Sequence, residues 1–307
     1  MILRSLELAL LCVCAALLFA ETKHSEHRPQ PGTSVVIAQI SDLHIDLARA
    51  PGAEDQLRKV VEMINARNPD AVIVSGDIGD KAEESWKKAQ AILLGLHSKF
   101  YVLPGNHDVN AKTADKYRAV FGDDTYRFEV NGQPFVAIDS QLLGSWEHFE
   151  SAQPEPVPAE GESEADALLN TLTRYGSGVC AFSDRDCVQW NWDRDRRGLI
   201  AIQHVPPDRA PKTSPDDKPY WILHDPWRTR ELDVLRKLHV KHILAGHWHK
   251  GIVYDVDGFT IHVAPATSWS PESPLGFAVH TITADGKVNT EFVYFDEQPF
   301  LKSNKKK

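Results

Sequence analysis

Leu103-Pro104-Gly105-Asn106-His107-Asp108 follows the short apolar run Lys99-Phe100-Tyr101-Val102, which reads as a buried strand. Asn, Asp and Gly are ordinary turn formers because of their backbone habits, but a histidine adds nothing to that task. A strand that ends in Pro-Gly and then presents Asn106, His107 and Asp108 therefore points to chemistry at its end. The weight of this hexapeptide depends on whether other strands end the same way.

Four more do. Val35-Val36-Ile37-Ala38-Gln39-Ile40 is a continuous β-rich run, as in a strand covered on both faces, and it leads into Ser41-Asp42-Leu43-His44. Ala71-Val72-Ile73-Val74 delivers Ser75-Gly76-Asp77-Ile78-Gly79-Asp80. Leu57, Val60, Val61 and Ile64 recur at helical spacing, so Glu54 to Ala66 reads as an amphipathic helix; Trp86, Ala89, Leu93 and Leu96 mark a second. Strand, helix, strand, helix, strand is a parallel α/β layout. Beyond it, Tyr126 to Val130, Asn131-Gly132 and Pro134 to Ile138 read as a hairpin. Leu199 to Gln203 is a strand ending in His204-Val205-Pro206-Pro207. After a Pro-rich loop over 208–228, a helix with Leu232, Leu235 and Leu238 leads to Ile243-Leu244-Ala245 and Gly246-His247-Trp248-His249. Thr260 to Val263 and Gly276 to His280 alternate like antiparallel strands. Positions 145–197 are irregular: Glu150 to Asp166 holds glutamates and prolines without a basic residue and reads as a mobile surface insert, followed by a short helix over Ala165 to Arg174.

The strand ends thus carry Asp42 and His44, Asp77, Asn106, His204, and His247 with His249. In α/β sheets the functional crevice lies beyond the carboxyl ends of the strands, so these residues are expected to converge. His-x-His on a strand would place both side chains on one face. Carboxylate, imidazole and amide without thiolate suit Mn, Fe, Zn or a similar divalent ion. Seven ligands exceed what one ion takes while keeping a position open, and suit two divalent ions sharing a carboxylate. Other histidines among the 14, including His242, His262 and His280, have no such setting and read as surface or core residues.

In this ordered set the chain resembles the calcineurin-like metallophosphoesterases, whose pattern is Asp-x-His, Gly-Asp, Gly-Asn-His-Asp/Glu, a later His, and Gly-His-x-His. It stands here as Asp42-Leu43-His44, Gly76-Asp77, Gly105-Asn106-His107-Asp108, His204 and Gly246-His247-Trp248-His249, within residues 35–295. The resemblance implies a four-layer α/β/β/α sandwich with two mixed β-sheets and the metal site at the strand carboxyl ends. It implies that Asp42, His44 and His249 hold one ion, Asn106, His204 and His247 the other, and that Asp77 bridges them. It also implies phosphate-ester hydrolysis by a hydroxide generated between two ions and attacking phosphorus in line. His107 is then placed to protonate the leaving oxygen. Asp80 is placed either to orient that imidazole or to serve as a helix N-terminal carboxylate, and Asp108 to support its neighbours.

Departures narrow the branch. Asp80 stands where purple acid phosphatases place a metal-binding Tyr, and Lys81 where the large Ser/Thr phosphatases place an Arg that grips phosphate bidentately. Ile138-Asp139-Ser140-Gln141 and Gln203-His204-Val205-Pro206 look like the smaller single-domain protein phosphatases, while single-domain cyclic nucleotide phosphodiesterases share the same core motifs. The substrate is a small-molecule or protein phosphate ester, with monoester or diester (including cyclic nucleotide) open. The rival reading, a non-catalytic metal-binding interaction module on the same fold, predicts lost ligands, and none of the seven is missing.

The 307-residue composition sets the frame: 42% apolar and 25% charged residues are those of a globular protein, and a net charge of −9 argues against a nucleic-acid partner. Leu8 to Ala20 is an uncharged apolar run behind Arg4, too short to span a bilayer and suited to a cleaved signal peptide over 1–20. An uncleaved anchor is the alternative. Export, a linker over 21–33, one domain over 34–300 with no transmembrane span, and a basic tail over 301–307 follow; no oligomeric state is assigned. Cys180 and Cys187 fit a small disulfide loop in an oxidising compartment. Seven of the eight tryptophans lie beyond position 145 and read as anchors of long loops, with Trp248 expected near the pocket mouth.

Overall fold

The computed structural model describes residues 33–110, 112–143, 159–176, 197–209 and 219–296. The expected signal segment, most of the linker, the Cys180–Cys187 pair, Trp146, Trp190, Trp192 and the basic tail lie outside the described residues. In chain order the first elements are β1 (Val35–Ile40), α1 (Ala53–Arg67), β2 (Ala71–Ser75), α2 (Glu83–Leu93), β3 (Phe100–Leu103), α3 (Ala114–Phe121), β4 (Tyr126–Val130) and β5 (Gln133–Ile138). Next come α4 (Ala159–Gly176), β6 (Ile200–Gln203), α5 (Trp227–Lys237), β7 (His242–Ala245), β8 (Ile252–Val256), β9 (Phe259–Val263), β10 (Gly276–Ile282) and β11 (Val288–Tyr294).

The strands form two mixed sheets, ordered β11-β10-β1-β2-β3 and β4-β5-β6-β7-β9-β8. Side-chain alternation then sets the layers. On β1, Ala38 and Ile40 pack with the α1–α3 side, whereas Val35 and Ile37 pack with Phe135, Ile202 and Leu244 of the second sheet. On β7, Ile243 and Ala245 pack with the α4 and α5 side while Leu244 faces the first sheet. The result is the α/β/β/α sandwich. Asn131 and Gly132 turn the β4–β5 hairpin with φ of 48° and 77°, as a two-residue type I′ loop requires.

The acidic stretch before Ala165 departs from expectation, because α4 begins at Ala159. Ala165, Leu168, Leu169 and Leu172 are buried at i, i+3, i+4 and i+7, and this stripe docks α4 on the second sheet's core. No helix of the described residues is long and apolar enough to cross a membrane.

One polar seam interrupts the apolar space between the sheets. His242 Nδ1 lies 3.1 Å from His262 Nε2, and His262 Nδ1 lies 2.7 Å from Thr290 Oγ1. Thr290 Oγ1 in turn lies 2.9 Å from His280 Nδ1, and His280 Nε2 lies 2.8 Å from Gln39 Oε1. Gln39 Nε2 donates to the Ala245 carbonyl at 2.9 Å, which fixes Oε1 as the acceptor and His280 Nε2–H as its donor. The direction propagates: Thr290 donates to His280, His262 to Thr290 and His242 to His262, with all three imidazoles neutral.

Candidate metal centre

The expected site residues leave their strands in a backbone form that side chains rarely take. Asp42, His44, Asp77, His247 and His249 have φ of 56°, 47°, 53°, 69° and 54°. Left-handed conformations at non-glycine residues persist only where the surroundings enforce them, and they cluster at functional sites. Here the brace is backbone to backbone: Asp42 N donates to Gly76 O at 3.0 Å, His44 N to Asp77 O at 2.9 Å, and Gly246 N to His204 O at 2.9 Å. β7 ends at Ala245, so the same-face expectation for His247 and His249 as strand neighbours does not apply. The left-handed turns, rather than a pleat, aim both inward.

The structure brings Asp42, His44, Asp77, His204, His247 and His249 together from both sheets, and Asn106 is tied to the same region through the Tyr220 hydroxyl. Ligand-type atoms of Asp42, His44, Asp77 and His249 lie within 4.8 Å of one another, as do those of Asp77, His204 and His247, so Asp77 belongs to both sets. Asp42 Oδ1 is 3.1 Å from His249 Nε2, Asp77 Oδ1 is 3.2 Å from His204 Nε2, and His44 Nε2 is 3.3 Å from His249 Nε2. Yet Asp42 Oδ1, Asn106 Oδ1 and His204 Nε2 are buried without an aligned hydrogen-bond partner. Buried polar atoms left this way are costly, and cations held at the two sets would satisfy them. The donor set fits two divalent ions.

Charge and burial favour the same outcome at Asp42, Asp77, His44 and His247, whereas at His204 burial lowers the imidazole and the Asp77 carboxylate outweighs it, raising it to about 9 without an ion. Burial alone would raise the Asp42 carboxyl, but the neighbouring His249 and His204 imidazoles outweigh it and hold Asp42 at about 2. Asp77, raised by burial and lowered more strongly by His204 and His107, stays ionised well below the usual carboxylate range. Burial pushes His44 and His247 down to about 3, which leaves each imidazole with a free lone pair. The other nitrogen of two histidines that follow second-sheet strands is tied to a carbonyl: His204 Nδ1 to Ser75 O at 2.7 Å and His247 Nε2 to Tyr220 O at 2.8 Å. Such bonds fix the tautomer and ring plane of a metal-ligating histidine.

The hexapeptide after β3 divides its work. His107 N donates to Asp77 Oδ1 at 2.8 Å, so the turn sits directly on the shared carboxylate. Gly105 makes this possible, since a Cβ there would lie 2.2 Å from Asp77 Oδ1. The His107 side chain is 21% exposed, and its Nδ1 lies 3.3 Å from Asp80 Oδ1. Asp80 precedes α2, whose first turn carries Glu83 and Glu84 instead. Asp108 is buried and accepts from Ile78 N, Gly79 N, Gly105 N and Trp86 Nε1 at 2.9–3.0 Å.

Sequence reasoning missed Tyr220, which contacts two of the seven residues from inside the Pro-rich loop. It also undervalued two tryptophans. Trp269 stands edge-on to His44 and His249, at 6.1 and 5.4 Å between ring centroids, with the Arg49 guanidinium 4.3 Å above its own ring. Trp221 lies 5.4 Å from the His247 ring. These residues wall a cleft of about 950 Å³ that opens on His107, His247 and His249. Trp248, expected at the mouth, does line this cleft, but it is 5% exposed, stacked on Tyr254, and donates to Trp221 O.

A model of the calcineurin-like phosphoesterase family matches residues 35–251. A relative described as a probable cyclic nucleotide phosphodiesterase, from Ruthia magnifica subsp. Calyptogena magnifica, is 36% identical over 260 residues, covering 82% of this chain and 95% of that protein. Another of the same description, from Vesicomyosocius okutanii subsp. Calyptogena okutanii, is 24% identical over 267 residues, covering 84% of this chain and 98% of its own. The fold is shared with a dimetal phosphatase from Danio rerio at a TM-score of 0.54 and 16% identity, covering 85% of this chain and 99% of that one. Motif order, layer order and family match agree: the chain belongs to the calcineurin-like phosphoesterases, metal-dependent hydrolases of phosphate esters with a dinuclear centre.

Proposed function

We propose that the chain hydrolyses phosphodiesters, with cyclic nucleotides as the substrate class. The observation that carries this reading is the aromatic wall beside both ligand sets, where Trp269 and Trp221 touch His44, His249 and His247. A cleft of about 950 Å³ is of the size that takes a nucleotide, and an indole face suits a planar base. The relatives' description as probable cyclic nucleotide phosphodiesterases supports it. So does Lys81, a point charge where the large Ser/Thr phosphatases place a bidentate Arg fork.

Asp42, His44 and His249 would hold one ion and Asn106, His204 and His247 the other, with Asp77 between them; Mn, Fe and Zn suit these donors. When bound, the two ions supply Lewis acidity toward phosphoryl oxygens and lower the pKa of water. Asp77 is held in place by His107 N–H. Water oxygen bonds to phosphorus as one of its protons passes to solvent, the bond to the leaving oxygen breaks with its electron pair, and protonated His107 delivers a proton to that oxygen and is reprotonated from solvent. Asp80 engages His107 Nδ1 and so leaves Nε2 to face the cleft.

Rates on a cyclic nucleotide, bis(p-nitrophenyl) phosphate, p-nitrophenyl phosphate and a phosphopeptide test the assignment. Diester turnover should exceed monoester turnover, vanish on chelation and return with Mn²⁺. Preferred cleavage of the phosphopeptide overturns the substrate class, and full activity after chelation overturns the mechanism. His107→Ala should retain both ions while losing about 10²–10⁴-fold in kcat. The Leu8–Ala20 run supports export of the mature enzyme, tested by its N-terminal residue and its recovery outside the cytoplasm.

A further inference from the structure

Tyr220 lies in a 3-10 turn, Pro219–Trp221, between β6 and α5. Its hydroxyl accepts the Asn106 Nδ2–H at 3.1 Å, and its backbone carbonyl accepts the His247 Nε2–H at 2.8 Å. Its ring lies 4.7 Å from the His247 ring. Asn106 follows a strand of the first sheet and His247 a strand of the second, so one loop residue holds partners from both sheets. The turn itself is pinned: Trp248 Nε1 donates to the Trp221 carbonyl at 2.7 Å.

Both contacts bear on which atom faces the centre: the carbonyl can only accept, and the hydroxyl, able to do either, here accepts from Nδ2. An asparagine amide has an acceptor end and a donor end of nearly equal shape. With Nδ2 committed to Tyr220, Asn106 Oδ1 is left buried and without a protein partner. A flipped amide would present N–H groups to a cation. At His247 the Nε2–H bond to the Tyr220 carbonyl leaves the lone pair on Nδ1. We propose that Tyr220 is a positioning residue for the second ion: it sets the amide orientation of Asn106 and the tautomer of His247. It thereby governs affinity at the Asn106–His204–His247 position and leaves the Asp42–His44–His249 position untouched. This rests on the two-ion reading above.

Tyr220→Phe keeps the ring and the backbone carbonyl and removes only the hydroxyl that holds Asn106. Metal-free wild type and variant are titrated with Mn²⁺, counting bound ions by equilibrium dialysis and elemental analysis, and the metal-free melting temperature reports folding. The wild type should take two ions. The variant should take the first with unchanged affinity and the second about 10–100-fold more weakly, with an unchanged metal-free melting temperature. Its kcat should return to the wild-type value when Mn²⁺ saturates both positions. Equal weakening of both positions, or wild-type affinity at both, overturns the inference. A low kcat with both ions bound also overturns it, since the hydroxyl would then act on substrate. A wild type that takes fewer than two ions brings down the two-ion reading itself, and this inference with it.

Discussion

Asp108 works from behind the cleft, and its four N–H donors come from three separate segments. Ile78 and Gly79 belong to the loop after β2, Gly105 to the loop after β3, and Trp86 to α2. One carboxylate therefore sets the spacing between the loops that carry Asp77 and Asn106. Burial and the Asp77 carboxylate push Asp108 up to about 6, against the backbone donors, so it is ionised at neutral pH. Asp108→Asn replaces an oxygen by an NH₂ group facing N–H donors. The expected loss is about 3 kcal/mol of stability, from buried donors left unmade, read by denaturant unfolding of the metal-free protein. The sequence showed that Asn106, His107 and Asp108 mattered together. It did not show that they face three different ways, because the side-chain directions come from the turn over Asp77.

The seam across β1, β7, β9, β10 and β11 gives the sheet interface a pH dependence. Burial, then the neighbouring His242, hold His262 down at about 3 against the opposing pull of Asp255. Burial, with His262 and His242, holds His280 well below the usual imidazole range. Lys241 and Asp255 are the charged groups that act on His242 at the start of β7, where burial and Lys241 lower it. The sign follows from proton counting. Between pH 6.5 and about 3 the unfolded chain binds protons at these positions and the native fold does not, so stability is full above about 6.5 and falls with acidification. His262→Gln should flatten the decline by about 1.4 kcal/mol per pH unit in that window, measured by urea unfolding at stepped pH. An unaltered slope would show that His262 does not carry the linkage. Strand alternation placed Ile261 and Val263 opposite His262 but left it open whether that histidine faces solvent or core. Its partners were not legible either, since Thr290 and His280 come from strands joined only by pairing.

Both sheets deliver candidate ligands to one crevice: Asp42, His44, Asp77 and Asn106 follow strands of the first, and His204, His247 and His249 strands of the second. Ions bound there would tie the sheets together, and binding to the native state alone raises stability by mass action. At free Mn²⁺ near 100 Kd each ion should add about 2.7 kcal/mol, visible as a higher melting temperature that chelation reverses. Asp77→Ala should abolish the shift, since both sets include it. The strands β1, β2, β3, β6 and β7, the helices α1, α2 and α5, and the β4–β5 hairpin turn could be read from the chain, as could the Asp and His residues that cluster beyond those strands, because period-2 runs, helical stripes and turn residues are local signals. Folding alone established that His247 N reaches Asp42 across 205 positions, that an acidic stretch begins a docked helix, and that Tyr220 closes on Asn106 and His247. Those outcomes depend on which distant surfaces are buried against each other, and local patterning carries no record of that.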